Sequence, residues 1–193
     1  MKKAWIALVV IVVIVLICFG MYISSRNQMV RKNETIKSDW AQVDVVLERR
    51  ADLIPNLVAT VKGIAAQEVT VFTAVANARA SLMNAQNPKD KIAANQQLDG
   101  ALAKVLALTE NYPQLRSNES FLRLQDELAG TENRIAVERK RYDDAIQDYN
   151  TFIATFPNSM FAGWAGFQRN DAYFAATPAS RAVPQVEFPS AKP

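Results

Sequence analysis

Apolar side chains recur in alternating steps of four and three residues through two long stretches of this chain, and that step constrains the fold more than any other feature. The first series runs Ile36, Trp40, Val43, Leu47, Arg50, Ile54, Leu57, Val61, Ile64, Glu68, Val71, Val75, Ala78, Leu82. The second runs Phe121, Leu124, Leu128, Thr131, Ile135, Glu138, Tyr142, Ala145, Tyr149, Phe152, Phe156. An average step of about 3.5 residues lays a single stripe along an α-helix, which must then be covered by other helices along its length. No stretch alternates apolar and polar residues as a half-buried strand would. The expectation is an all-α protein whose soluble part is an antiparallel bundle of long helices.

The first series passes Pro55 without losing register. A turn would ordinarily reset the phase, so the spacing predicts one helix kinked at Pro55; two helices joined by a loop there is the alternative. Proline removes the hydrogen bond to the Ala51 carbonyl and crowds the preceding turn, at a cost of about 3 kcal/mol in a helix interior. The polar stretch Asn84 to Asp90, with Pro88, reads as a connection. Leu98, Leu102, Val105 and Leu106 then mark a shorter helix from about Asp90 to Glu110, stopped by Asn111-Tyr-Pro-Gln114. Ser117 or Asn118 is suited to cap the next helix, with Glu119 in its first turn. That helix should end near Phe156-Pro157-Asn158-Ser159. The aromatics Phe161, Trp164, Phe167, Tyr173 and Phe174 predict a short helix or folded loop covering the bundle end, ahead of a Pro-rich tail from Thr177.

At the other end, Ala4 to Ile23 (AWIALVVIVVIVLICFGMYI) contains no charged residue. Twenty residues at about 1.5 Å each span roughly 30 Å, the thickness of a hydrocarbon core. A cleavable signal peptide has a shorter apolar region ending at a small-x-small site. Here the run ends Met21-Tyr22-Ile23, so it reads as an uncleaved anchor, and Cys18 within it lacks the setting of a lipid-modified cysteine. Lys2 and Lys3 precede the run, while Arg26, Arg31, Lys32 and Lys37 follow it. Their count favours the C-terminal side inside, yet long domains translocate despite such charges, and the side stays open. These basic residues are read as topology determinants, with contact to anionic headgroups as the alternative.

Composition removes much chemistry. The chain has no histidine, and its one cysteine lies in the apolar run. Ser-His-Asp and Cys-His catalytic arrangements, the usual zinc sites and Glu-x-x-His di-iron sites are therefore excluded, as are disulfides within the chain. The 22 basic and 19 acidic residues are scattered, which gives a mixed surface rather than a nucleic-acid footprint.

Several polar residues fall on or beside the seams. Arg50, Glu68 and Glu138 occupy seam positions and must lie at a partly exposed edge or pair across helices, with Arg50 or a neighbour meeting a carboxylate of the opposite helix. Gly130, within Gly130-Thr-Glu-Asn-Arg-Ile135, suggests close helix approach. Beside it Glu132, Asn133 and Arg134 suit an interhelical hydrogen-bond network or a binding surface. Asp143, Asp144 and Asp148 read as surface acids rather than a metal site, and the aromatics near the C-terminus as core cover rather than a ligand cage. No catalytic, cofactor-binding or metal-ligating residue is assigned, and no cofactor is expected.

The stretches LERRADLIPNLVATVKG, ENYPQLRSN and FLRLQDELAGTENRIAVERKRYDDAIQDYN, with the closing FP…GF, resemble the LemA family of bacterial membrane proteins. The resemblance extends from Trp40 to the PQVEF ending at Phe188. Tyr142-Asp143-Asp144 departs mildly from the Tyr-Asn more usual there. The resemblance implies a short N-terminal anchor followed by a helical bundle and no defined enzymatic activity. Some relatives are associated with membrane shaping, as in magnetosome formation, or are encoded beside membrane proteases. The family's matched residues have no chemical roles to carry over.

The expected organisation is a tail over residues 1–3, a transmembrane helix over 4–23, a juxtamembrane segment over 24–35, a LemA-like helical bundle over 36–176 and a Pro-rich tail over 177–193. The expected function is that of a non-enzymatic scaffold or adaptor, anchored by a single pass in the bacterial cytoplasmic membrane. It would contact lipid and either copies of itself or other envelope proteins, and no nucleic acid. A membrane-remodelling protein that assembles and shapes the bilayer is one alternative; an enzyme with a carboxylate site free of histidine and cysteine is the other.

Overall fold

The computed structural model describes residues 2–174, and the tail from Thr177, with the PQVEF motif, lies outside them. The described residues form six helices: α1 Lys2–Lys62, α2 Val69–Asn84, α3 Pro88–Asn111, α4 Pro113–Arg116, α5 Glu119–Ala154 and α6 Asn158–Ala165. Two starts follow directly from side-chain capping. Asn87 accepts the Asp90 N–H at 2.9 Å with Pro88 at the first helical position, and Asn118 accepts the Phe121 N–H at 2.9 Å.

Contacts between the helices fix the topology. Pairing of α1 with α5 descends along one helix as it rises along the other: Trp40 meets Tyr142 and Lys32 pairs with Asp148, and beyond the end of α5 Ser25 bonds Asn158 of α6. These two helices are therefore antiparallel. Pairing of α1 with α3 rises in both, from Asp44 with Lys91 to Arg50 with Asn95. Arg79 reaches back to Ala51 while Lys62 lies over Phe72, so α2 runs opposite to α1. In the half farther from the N-terminus the result is an up-down-up-down four-helix bundle.

The first seam is split at a point its periodicity does not mark. The helix passes through Pro55 unbroken, as expected, but the single helix predicted from Ile36 to Leu82 ends at Lys62. The chain reverses over residues 63–68 and restarts as α2. The turn is hidden in the pattern because it is itself packed in the core. Ala65 is fully buried and its N–H bonds the Val61 carbonyl at 2.8 Å, while Ile64 packs against the core. After the reversal Val75, Ala78 and Leu82 are buried as the series predicts, with Phe72 buried in place of Val71.

Nearer the N-terminus α1 pairs with α5, and their core reaches back to Met29, which is fully buried. The third side is closed by the segment after α6. Asn150, 4% exposed, donates through Nδ2 to the Asn170 carbonyl at 2.7 Å and the Tyr173 hydroxyl at 2.9 Å, and accepts the Asn170 N–H at 2.9 Å. Tyr149 donates to the Gln168 carbonyl at 2.9 Å. Phe174 ends the segment against Trp40 and Tyr142, at ring-centroid distances of 6.3 and 6.1 Å. The aromatic cover expected from the sequence thus consists of a short helix plus an extended strap laid back along the α1–α5 pair.

The first twenty or so residues of α1 stand apart from all this packing. This stretch is long and apolar enough to cross a membrane, and none of its most apolar window is buried by the protein.

Candidate functional site

The buried Arg50 is where chemistry and packing meet. It sits on the α1 seam one turn before Pro55, where a leucine would ordinarily fall, and its side chain is 7% exposed. Its Nη1 donates to Asn95 Oδ1 on α3 at 3.0 Å. The same nitrogen lies 2.6 Å from Asp99 Oδ1 on α3 and 2.9 Å from Glu132 Oε2 on α5. One guanidinium therefore ties α1 to two other helices. The two carboxylates are close in charge but meet Nη1 outside directed hydrogen-bond geometry, and the buried Nε has no partner. Asp99 and Glu132 are 42% and 47% exposed, so water solvates their outer faces. A cavity of about 230 Å³ adjoins this centre, lined chiefly by Leu57, Leu102, Leu106 and Leu128.

Of the two readings open for Arg50, pairing across helices is the one realised. Asn95 and Asp99 escaped the sequence reading although the signal was present. They precede and follow Leu98 on one turn of α3, and a polar residue on an apolar face needs a partner.

Five residues on from Arg50 the missing donor of Pro55 is replaced. The Nε–H of Arg79 on α2 donates to the Ala51 carbonyl at 2.8 Å. Ala51 is fully buried, so this carbonyl has no water to turn to. The tolerance of LERRADLIPNLV for an arginine on the seam and a proline beside it thus rests on partners from three other helices.

The other singled-out residues have separate fates. Arg49 is exposed and reaches Glu127 at 3.5 Å. Asp52 is exposed. Glu68 lies at the start of α2 and accepts the Tyr112 hydroxyl at 3.0 Å; that acceptor, then burial, raises the Tyr112 pKa. Glu138 pairs with Arg141 on its own helix rather than across the bundle. Asp143, Asp144 and Asp148 point to three different partners: the Phe174 N–H, Lys140 and Lys32. Lys32 also lies over the Phe152 ring at 5.2 Å, and Lys37 bonds Glu34 at 2.7 Å, so two of the basic residues following the apolar run are engaged within the protein.

Gly130 corrects an expectation. It makes no close helix approach: it is exposed, and a Cβ there would meet nothing within 4 Å. It lines a groove of about 450 Å³ between α1 and α5 with Val45, Leu53, Thr131 and, at the rim, Arg49, Glu127 and Arg134. Of its polar neighbours Glu132 joins the Arg50 network, while Asn133 and Arg134 are exposed.

Chemically, the Arg50 centre fixes register. The guanidinium presents only donors, and acceptors on α3 and α5 meet them. Fold and centre together define a helical-bundle protein carried on a long apolar N-terminal helix, with its polar core spent on joining helices. The chain belongs to the LemA family, whose model matches residues 39–188. It is similar to "Magnetosome protein MamQ 2" and "Magnetosome protein MamQ 1" of Paramagnetospirillum magneticum, each 28% identical over 200 residues, covering 90% of this chain and 73% of the relative. "Magnetosome protein MamQ" of Magnetospirillum gryphiswaldense is 26% identical over 179 residues, covering 79% of this chain and 65% of the relative. Neither the family's description nor these names state a reaction. With the apolar helix, they make this a membrane-associated protein of the cell envelope.

Proposed function

We propose that the protein is a scaffold anchored by one pass of α1 in the bacterial cytoplasmic membrane, and that it acts by assembling with copies of itself and with other envelope proteins. The observation that carries this reading is the continuity of α1. One unbroken helix runs from the uncovered apolar stretch into the bundle core, so the bundle is held to the anchor without a flexible linker. The Arg50 network then holds α3 and α5 in register on the same helix.

The groove beside Gly130 supports self-association. It has an apolar floor at Leu53, an exposed apolar edge at Val45, and both signs of charge at its rim. A surface offering both signs suits a second copy related by two-fold symmetry. The test is the mass of the full-length protein in mild detergent by light scattering, with the detergent subtracted. A defined mass above that of the monomer is expected.

A second reading, remodelling of the bilayer by an assembled protein, is favoured by the uncovered Phe156 and Trp164 beside the apolar stretch of α1. Deformation of lipid vesicles by the purified protein supports it, and unchanged vesicles remove it.

A further inference from the structure

We propose that α6 and the turns flanking it form a second membrane-embedded element, a hook that dips into the leaflet on the bundle side and returns without crossing. This rests on the reading of α1 as a membrane anchor. Because α5 runs antiparallel to α1, it brings the chain back to the level of the anchor. There Ser25 Oγ donates to Asn158 Oδ1 at 2.7 Å, and the rings of Tyr22 and Phe161 meet edge to face at 5.7 Å.

Tyr22 lies in the last turn of the apolar run, so α6 stands beside residues that lipid must cover. The groove between the two helices, about 630 Å³, is lined on one side by Ile14, Val15, Cys18 and Phe19 and on the other by Met160 and Trp164. Ile14 precedes Tyr22 by eight residues, about 12 Å along a helix, against a hydrocarbon core of roughly 30 Å. The hook therefore reaches partway into one leaflet.

Three independent features of the hook fit hydrocarbon and not water. Phe156, Met160 and Trp164 are 79%, 50% and 75% exposed within the protein, although Phe161 and Ala162 of the same short helix pack inward. No charged residue occurs from Tyr149 to Gln168, between Asp148 and Arg169. Several backbone groups at both turns also bond internally, which lowers their cost in hydrocarbon. Ser159 N–H bonds the Thr155 carbonyl at 2.9 Å and Met160 N–H the Pro157 carbonyl at 3.2 Å. At the far end Gly166, at φ 74°, allows the Phe167 N–H to bond the Ala162 carbonyl at 3.0 Å as the chain turns back. Lipid, rather than a second copy, is the occupant because the uncovered side chains adjoin the anchor itself.

The test uses the full chain in lipid vesicles and two single-tryptophan proteins. W5F/W40F keeps Trp164 in the hook, and W40F/W164F keeps Trp5 in the anchor. Phosphatidylcholine brominated on its acyl chains near the headgroup should quench both, and Trp164 should emit to the blue of a water-exposed tryptophan. If Trp5 is quenched by lipid but Trp164 only by aqueous iodide, the hook is wrong and the anchor stands. If Trp164 is shielded from both quenchers, protein covers it and the hook is also wrong. If lipid quenches neither, the anchor reading falls and the hook with it. Should phenylalanine at position 40 disturb the fold, C18S/M160C with a nitroxide label leaves every tryptophan in place. Relaxation of that label by oxygen more than by an aqueous nickel chelate supports the hook, and the reverse overturns it.

Discussion

The guanidinium of Arg79 on α2 donates its Nε–H, at 2.8 Å, to the carbonyl of Ala51 on α1, whose ordinary helical donor would be residue 55, a proline. A side chain from a neighbouring helix therefore does what the Pro55 backbone cannot. This makes Pro55 and Arg79 an energetic pair although they lie on different helices and share only an acceptor. A hydrogen bond from a charged donor contributes about 1.5–3 kcal/mol, enough to offset much of the proline penalty.

Arg79→Met should destabilise the protein by about 2 kcal/mol, because the buried Ala51 carbonyl is left unpaired. Pro55→Ala restores the backbone donor, so P55A/R79M should lose about 1 kcal/mol less than the separate effects sum to. A double-mutant cycle by denaturant unfolding of the full chain in detergent measures this coupling; strict additivity would show that Arg79 does not serve the carbonyl.

The Arg50 centre should respond asymmetrically. Arg50→Met removes the buried charge and keeps most of the volume, and the half-exposed Asp99 and Glu132 turn to water, so the loss should be near 1 kcal/mol. D99N/E132Q leaves the guanidinium buried without a counter-charge and should cost on the order of 3 kcal/mol. Unfolding midpoints at constant m-value check the order. Equal losses would mean that Arg50 is less enclosed than its burial implies.

Asn150 ties down the strap after α6 through three hydrogen bonds to Asn170 and Tyr173. Asn150→Ala should cost about 2 kcal/mol and should expose the strap before the helices. Hydrogen exchange is the readout. Backbone amides over residues 168–174 should lose protection while those of the α1–α3 contact keep it.

Alkaline pH should act through Tyr142. Burial, reinforced by the Asp143 carboxylate, pushes its pKa from 10.0 up to about 12. Between those values the folded state holds a proton that the unfolded state has released. The contribution is therefore intact below pH 10 and is lost as pH climbs towards 12, by roughly 2–3 kcal/mol in all. Tyr142→Phe should flatten that decline. Burial also raises the Asp143 pKa, against the opposing pull of the Phe174 N–H and Arg139. Its contribution favours folding at acid pH and falls as pH rises through the carboxylate range. Asp143→Asn, which keeps an acceptor for Phe174, should leave neutral-pH stability equal or slightly higher.

Much of this architecture was legible because period and capping are local properties. The seams named from spacing match buried positions such as Val43, Leu47, Ile54 and Leu57, and the Asn118 cap needed no tertiary information. The turn at residues 63–68 was not legible, since a reversal that buries Ala65 and restarts in phase leaves the periodicity intact. Arg50 advertised a partner but not which one, because choosing Asp99 and Glu132 requires the topology. Arg79 gave no local signal at all: its role depends on where α2 lies against α1. Gly130 misled for the opposite reason, a residue that suggests close approach lying instead on an open groove.

The mass of the full-length protein in mild detergent bears most directly on the scaffold reading. A single defined oligomer, stable on dilution and weakened by a charge placed at Val45, is the predicted result. A monomer at every concentration, unchanged by that substitution, would contradict it.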